Sequence, residues 1–600
     1  MLVQPNIVIP QLIQAFQKGD FQHVVDVIGG NASLVTVDPV VVQLYGSALR
    51  KLGQMNKAVK VYEKGLKKFK QAPDLMNSYG NLLLDIEQSS KAVEWFQKAI
   101  RFSPNSYDYQ YNLSRALIEQ ERFSQAKNTL NQLLTIKKDN ASVYLLLAEI
   151  ATKEKNSDKA QEYFQKILSN DPNHLIALNN LGNLMRMSGD LKSAESLYSR
   201  ALIAGGNSPQ VYLNLAAVLG LQSKVNEALN VYKKGLERFP YDRSLHGEFA
   251  HFAWIKNVDE PFVYLERQLD ESVPELVLVY CELMLRIDEA KKAKDWLVKL
   301  QNIEVPSLKL NVLANLSNAL RDLGDFNDAL IISEKGLKQC TGDTLPLLIE
   351  KGYALLSLKE YNQATQVFEK VCRLAPMNQG YWTLLATAYK GNKNYTQYEK
   401  LCDYGSFVRA DRLIEGTDEA IRFNEQLKSV LLTMHRGERH PIGQSLRNGS
   451  QTFENLLDNK NTVIQSLKEL ILQRAVAYIK TLSPQKKHPL LSRLSTDIEF
   501  IGSWSVKLRQ SGFHKSHYHS DGWISGVLYI DVPDEVKQNG NGWLIFGKPD
   551  INGVSMEEDY AIKPQVGEVV FFPSYAWHGT RPINSDSQRM TVAFDIIPKI

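Results

Sequence analysis

Residues 517–533, "HYHSDGWISGVLYIDVP", place two histidines and an aspartate within five positions and then turn apolar. The run from Trp523 to Val532 is rich in β-branched and aromatic residues and is closed by Pro533, the pattern of a buried strand. In extended chain, residues i and i+2 share a face, so His519 and Asp521 are expected to project into one space. His517 falls in the same row, as do Ser525, Val527 and Tyr529 at the far end. Two donors cannot make a metal site. The best third candidate is His578, in "FFPSYAWHGTRP", directly after a strand that begins with the turn "PQVGE".

The surrounding segments have the same texture. "IEFIGSWSVKL", "GWLIFG", "EVVFF" and "RMTVAFDII" are short strand-like runs separated by Gly, Pro, Asn and Asp, which suggests an antiparallel sandwich or small barrel from residue 497 onward. Arg589 opens the last run, eleven positions after His578, with Thr591 two residues on and facing the same way. A guanidinium on a barrel wall is a planar, two-pronged partner for a carboxylate.

The ordered set His519-x-Asp521, His578, Arg589-x-Thr591 resembles the Fe(II)/2-oxoglutarate-dependent dioxygenases. More narrowly, "GSWSVKL", "HYHSDGWISGVLYIDVP", "VGEVVFFPSYAWHGTRP" and "RMTVAFDI" are similar to a bacterial and phage subfamily of those oxygenases, sometimes carried behind tetratricopeptide repeats. The similarity covers about residues 405–600, including the loop "HPIGQSLRNGSQT". The resemblance implies a double-stranded β-helix (jelly-roll) in which His519, Asp521 and His578 hold Fe(II) as a two-histidine, one-carboxylate triad. It implies that 2-oxoglutarate and O2 are co-substrates and that Arg589 pairs with the distal carboxylate of 2-oxoglutarate, helped by Thr591 or Tyr529. Decarboxylation to succinate and carbon dioxide would then be coupled to hydroxylation of a prime substrate.

Other residues carry competing readings. His517 has the right facing but is read as pocket lining, and His514 as loop. Tyr529 could fill the barrel instead of touching the co-substrate. Trp523 and Trp577 could form pocket walls or pack in a core. A cupin-like site would use His517 and His519 with His578, but it wants a glutamate soon after the pair, and "SDGW" supplies none. A rival of another class is a protein-interaction scaffold whose terminal domain binds metal yet is catalytically silent.

Before residue 400 the grammar is different. Small residues recur every 34 positions at Gly46, Gly80, Ser114, Ala148, Gly182, Ala216 and Ala250. Twelve residues beyond the first six stand Ala58, Ala92, Ala126, Ala160, Ala194 and Ala228, and four further on Tyr62, Phe96, Leu130, Phe164, Tyr198 and Tyr232. Pro104, Pro172 and Pro240 close units. Each unit reads as two amphipathic helices, the small residue allowing their close approach and the large one filling the space between neighbours. This resembles the tetratricopeptide repeat, without that family's usual early tryptophan. The pattern degrades between about 255 and 310 and returns at Ser317/Ala329 and Gly352/Ala364/Phe368/Pro376, with a partial unit at Ala386. Nine to eleven repeats are expected, including a weak first pair near 8–30 and a divergent unit hidden in the gap. Such solenoids offer a groove, and the resemblance implies a protein or peptide partner there.

The expected organisation is therefore an all-α solenoid over 1–400 and an oxygenase domain over 401–600. Within the latter, 401–496 should be a helical buttress and 497–600 the double-stranded β-helix. A 600-residue chain is too long for a single core. A formal charge of +4 with no long block of like charge gives no argument for nucleic acid. Cys281, Cys340, Cys372 and Cys402 are too scattered for a zinc site and read as reduced thiols. The N-terminus is a poor signal peptide, and no apolar run is long enough to span a membrane. A cytoplasmic protein is expected, with no membrane contact and an oligomeric state that the sequence leaves open.

Overall fold

The computed structural model describes residues 5–31, 33–339, 344–435, 439–452, 455–537, 540–582 and 588–599. The chain divides into two compact units, Met1–Gln222 and Ser223–Ile600. Twelve two-helix segments follow in chain order among the described residues, from Pro5–Gln17 and Phe21–Gly29 to Gln379–Gly391 and Tyr395–Leu401. That is one more than the upper expectation.

In the first unit the 34-residue spacing has a direct packing cause. A Cβ at Gly46 would come within 2.5 Å of the Tyr62 ring, at Gly80 within 2.5 Å of Phe96, and at Gly182 within 2.6 Å of Tyr198. The ring of the second helix is pressed onto bare backbone of the first, so any larger residue would force the pair apart. Tyr62, Phe96 and Tyr198 are wholly buried, as are Ala58, Ala92 and Ala194 one turn before them. Side chains also tie one repeat to the next. Asn112 donates to Asn77 (3.0 Å) and Asn214 to Asn179 (2.8 Å). The unit rests on local contacts repeated along the chain.

The same packing holds at Gly352 and Phe368 (2.4 Å) in the second unit. The degraded stretch is explained there. The second helix of one repeat shrinks to the single turn Val263–Glu266. The next repeat, Pro274–Arg286 and Ala290–Leu300, carries Cys281 at the small position, its thiol reaching the carbonyl of Ala293 twelve residues on (3.5 Å). Ser317 makes the equivalent contact with Ala329 (2.8 Å). Cys281 is thus the hidden small residue of the divergent unit. Cys281, Cys372 and Cys402 are free thiols, and Cys340 lies outside the described residues.

After Leu401 the described residues build nine strands: β1 (Arg409–Arg412), β2 (Leu446–Gln451), β3 (Ile498–His514), β4 (Ile524–Asp531), β5 (Leu544–Phe546), β6 (Tyr560–Ile562), β7 (Glu568–Pro573), β8 (His578–Thr580) and β9 (Arg589–Pro598). A six-stranded sheet runs β1-β7-β4-β9-β3-β2 and a three-stranded sheet β6-β5-β8, with antiparallel pairing throughout. A tetratricopeptide-type solenoid is therefore followed by a jelly-roll. The expected buttress is present as α1 (Thr417–Met434) and α2 (Thr462–Ile479), but 401–496 is not purely helical. It also supplies β1 and β2, the two edges of the large sheet. "RADR" and "LRNGSQ" lack an apolar alternation because an edge strand pairs on one side only.

Alternation along β9 sorts its side chains. Met590, Val592, Phe594 and Ile596 join Ile471, Ala475 and Tyr478 of α2 in one core, where Tyr478 stacks on Phe571 (5.4 Å). Arg589, Thr591 and Ala593 face the other way, into a cavity of the jelly-roll. Trp523 belongs to the helix-side core and donates to the carbonyl of Leu490 (2.9 Å), so it is not a wall of that cavity.

Candidate metal centre

The cavity is walled by strands from both sheets, among them Trp504, Val527, Leu544, Phe572 and Thr580. Three histidines meet in it. His517, His519 and His578 each offer a ring nitrogen within 4.8 Å of the others. Their ring centroids lie 4.2 Å (His517–His578), 5.0 Å (His519–His578) and 5.2 Å (His517–His519) apart. The backbone fixes this meeting. His517 and His578 exchange both amide-to-carbonyl hydrogen bonds, at 2.8 and 2.9 Å, and the His519 amide donates to Ser574 (2.9 Å).

The outer nitrogen of each ring is already engaged. Nδ1 of His517 faces the Lys515 carbonyl (2.9 Å) and Nδ1 of His578 the Ala576 carbonyl (3.0 Å). Nδ1 of His519 faces Oδ1 of Asp595 (2.6 Å). A carbonyl can only accept, so Nδ1 of His517 and His578 carries the proton and Nε2 is left with a lone pair. Burial holds His578 well below the usual imidazole range and His517 at about 3, keeping both neutral. Burial also opposes charge on His519, but the Asp595 carboxylate outweighs it and raises that pKa. Ser525 donates to the same Asp595 oxygen (2.6 Å), and Ser525 and Ser574 are bonded to each other (2.9 Å).

Asp521 is not brought to this point. It is exposed, on a bend after His519 and before β4 begins at Ile524. The two-residue alternation holds only in continuous extended chain, and the bend interrupts it between His519 and Asp521. Gly522 passes so close to Ser574 that a Cβ would lie 2.5 Å from its hydroxyl. The side chains that meet are therefore His517, His519 and His578, while Asp521, expected beside His519, is exposed next to them. This is the trio named by the cupin-like alternative, here in a cavity that Arg589 also lines. His514 is no loop residue; it ends β3, lines the cavity and meets the Ser445 hydroxyl (3.0 Å). Trp577 points away from the cavity, its indole donating to Thr387 (2.8 Å).

Arg589, Tyr529 and Thr591 stand together as the alternation requires. Thr591 is in register with Tyr529 on β4 and with Val506 on β3. Arg589 is 3% exposed and Tyr529 fully buried, with the guanidinium 5.1 Å from the Tyr529 ring centroid. Arg589 donates through Nη1 to the Gly542 carbonyl. Its Nε and the Tyr529 hydroxyl have no hydrogen-bond partner among the described residues. Burial lowers the Arg589 pKa, so the cation stands there with its hydration removed and not fully replaced.

Residues 502–595 match a family model described as "Putative 2OG-Fe(II) oxygenase". Tetratricopeptide-repeat models match 46–107, 90–150, 139–202 and 345–378. The chain is a tetratricopeptide-repeat protein with a C-terminal 2OG-Fe(II) oxygenase domain. The residues present in that oxygenase domain fit its implied groups. Three inward-facing imidazoles suit a divalent transition metal, and two unpartnered buried donors suit a carboxylate.

Among curated proteins, an uncharacterized ycf37 protein of Pyropia yezoensis is 34% identical over 68 residues, which is 11% of this chain. The match spans only 38% of that relative's length. Solved structures with similarity include MamA from Desulfovibrio magneticus RS-1, 18% identical over 28% of this chain and 94% of that one, with a TM-score of 0.26. Another is Pseudomonas aeruginosa pilF, 18% identical over 34% and 92%, with a TM-score of 0.29. A thermophilic tetratricopeptide-repeat protein of Thermus thermophilus is 20% identical over 30% and 100%, with a TM-score of 0.26. No helix among the described residues is long and apolar enough to cross a membrane.

Asp595 escaped the sequence reading, and Ser525 was placed in the right row without its partner. Asp595 was within reach of it: Arg589, Thr591, Ala593 and Asp595 form one row at a spacing of two. Ser525 sits opposite Asp595 in the pairing of β4 with β9, a relation that only the register reveals.

Proposed function

We propose that the protein is an Fe(II)- and 2-oxoglutarate-dependent oxygenase, with iron held by His517, His519 and His578, that hydroxylates a side chain of a protein or peptide partner. Iron, 2-oxoglutarate and O2 together supply the oxidising chemistry: one oxygen atom enters succinate as carbon dioxide leaves, and the other enters a C–H bond of the substrate. The protein's own residues prepare the site. The carbonyls of Lys515 and Ala576 hold His517 and His578 in the tautomer that presents Nε2 inward. Asp595 fixes the plane of His519 and brings negative charge to a centre whose three donors are neutral. Arg589 and Tyr529 take the distal carboxylate, and the apolar walls at Val527, Leu544 and Phe572 limit water.

The observation that carries this reading is the unpartnered Arg589 Nε beside the unpartnered Tyr529 hydroxyl in the cavity of the three histidines. An arginine buried without its full set of acceptors is costly unless a ligand completes it. Recruitment of a polypeptide rests on the repeats, since arrays of this kind characteristically offer a surface for extended peptide.

The test is anaerobic Fe(II) titration of single variants together with succinate release. His517→Ala should abolish tight binding and Asp521→Ala should preserve it, since Asp521 is exposed. Arg589→Gln should leave iron in place and raise the 2-oxoglutarate concentration for half-maximal succinate release by tenfold or more, about 1.4 kcal/mol or greater. The opposite ranking, with iron lost in Asp521→Ala and kept in His517→Ala, would refute the three-histidine centre. Bound iron with no succinate formed in the wild type would return the protein to a silent scaffold.

A further inference from the structure

Behind the three histidines stand helices that lie outside the matched oxygenase segment. Tyr518 lies between two of the donors, and Trp577 precedes the third. The two rings meet edge to face with centroids 5.0 Å apart, so one aromatic pair joins the two segments that carry the three imidazoles. That pair is anchored on the repeats. The Tyr518 hydroxyl is bonded to that of Tyr353 (2.8 Å), on helix Leu345–Ser357. The Trp577 indole donates to Thr387 (2.8 Å), on helix Gln379–Gly391.

The backbone is held in the same way. The amide of Gln379 donates to the Ser520 carbonyl (2.8 Å), and Thr383 to the Tyr575 carbonyl (2.6 Å). Gly380 leaves the gap that Tyr518 fills, since a Cβ there would lie 2.4 Å from the ring. Tyr353 is itself fixed from beneath by the Arg321 guanidinium, 4.5 Å from its ring centroid. Because His517 and His578 are hydrogen-bonded to each other through the backbone, a displacement of either anchor moves donors on both segments.

We infer that the last repeats are a working part of the metal centre, with Tyr353 and Thr387 as positioning residues for His517, His519 and His578. The inference rests on the reading that these histidines hold a metal. Imidazoles need to converge within a few tenths of an ångström, and outer contacts that orient metal-binding histidines typically contribute ten- to hundredfold in affinity. Neither Tyr353 nor Thr387 touches the cavity, so their effect can reach the metal only through Tyr518 and Trp577.

The experiment uses the full chain and Co(II), whose visible absorption reports the ligand geometry. Four variants are compared with wild type: His578→Ala, Tyr353→Phe, Thr387→Val and Thr387→Ser. Tyr353→Phe removes a single oxygen, and circular dichroism confirms that each variant is folded. Tyr353→Phe and Thr387→Val should each weaken Co(II) binding about tenfold and alter the absorption envelope at unchanged stoichiometry. Thr387→Ser, which keeps the hydroxyl that accepts from Trp577, should restore both. If wild type binds one Co(II), His578→Ala loses it, and Tyr353→Phe and Thr387→Val match wild type in affinity and spectrum, the inference is overturned while the three-histidine centre stands. If Thr387→Ser behaves as Thr387→Val, hydroxyl anchoring is overturned as well. If His578→Ala binds Co(II) as wild type does, the reading of the centre itself fails and this inference falls with it.

Discussion

Four residues beyond the small position of a repeat, Arg50 of the first unit pairs with Asp85 of the following repeat. In the second unit the same position is Trp254, which donates to the His440 carbonyl (2.9 Å), and Lys390, which pairs with Asp559 (2.7 Å). The face of the first helices is thus used in two ways. In residues 39–222 it binds its own next copy, as in the asparagine pairs 77–112 and 179–214. In residues 243–401 it also reaches the chain after residue 401, at Trp254 and Lys390, while Arg321 at the same position still lies on Tyr353 of the next repeat. The steps from Ala250 to Cys281, Ser317 and Gly352 are 31, 36 and 35 residues, and that from Gly352 to Ala386 is 34 again. The lost spacing thus belongs to the divergent unit, whose neighbour has a second helix of a single turn, and the repeats that hold Tyr518 and Trp577 keep the regular step.

The largest expected effect that sharpens this contrast comes from removing the ring that fills a repeat. Phe96 and Phe368 are both fully buried against a glycine. Either Phe→Ala change should cost about 3–5 kcal/mol of stability, the usual range for emptying such a site. Their consequences should differ. Phe368→Ala, in the repeat that carries Tyr353, should also weaken metal binding, whereas Phe96→Ala should leave it as in wild type. Denaturant unfolding paired with Co(II) titration measures both. Equal metal affinity in the two variants would break the distinction.

Acid should also separate the two units. Burial holds His514 and His578 well below the usual range, His517 at about 3 and His435 at about 4, all within residues 223–600. The unfolded chain takes up protons at these histidines as pH falls through about 6.5, and the folded chain does not. Metal-free stability of this unit should therefore be highest above about 6.5 and fall as pH drops towards 4. The slope is up to about 1.4 kcal/mol per pH unit for each such histidine. His519, raised by Asp595 against its burial, and Glu350, raised to about 7 by burial, act in the opposite sense. The first unit carries two histidines, His23 exposed and His174 half-buried. Thermal unfolding of the metal-free chain between pH 7.5 and 5 should show one transition moving much more than the other. Parallel movement would contradict the assignment.

Much of this molecule was legible in its sequence, and the failures have physical reasons. The five strand-like runs became β3, β4, β5, β7 and β9 because central strands must carry apolar alternation to be buried. β1, β2, β6 and β8 were missed because short or edge strands need not. Asp521 was placed beside His519 by extending a strand's alternation over a bend that precedes β4. The closeness of His517 to His578 was not legible because it rests on a backbone bridge sixty-one residues long in sequence, which no local pattern encodes. The anchoring of Tyr518 and Trp577 on Tyr353 and Thr387 is longer-ranged still.

The smallest effect tests the asparagine rows of the first unit. Asn112→Ala removes the hydrogen bond to Asn77, and Asn214→Ala removes that to Asn179 together with an exposed one accepted from Gln210. Each should cost about 1 kcal/mol or less of stability, the net value of such a bond. Because repeats add nearly independently, the double variant should lose close to the sum of the two. If these amides served only to tie repeats together, that loss would be their whole effect and both variants would bind peptide as wild type does. A groove that uses the same amides to hold the backbone of an extended chain would show a second, separable loss. A hydroxylated partner peptide should then be released from Asn112→Ala faster than the stability change accounts for, and an unchanged dissociation rate would confine these residues to architecture.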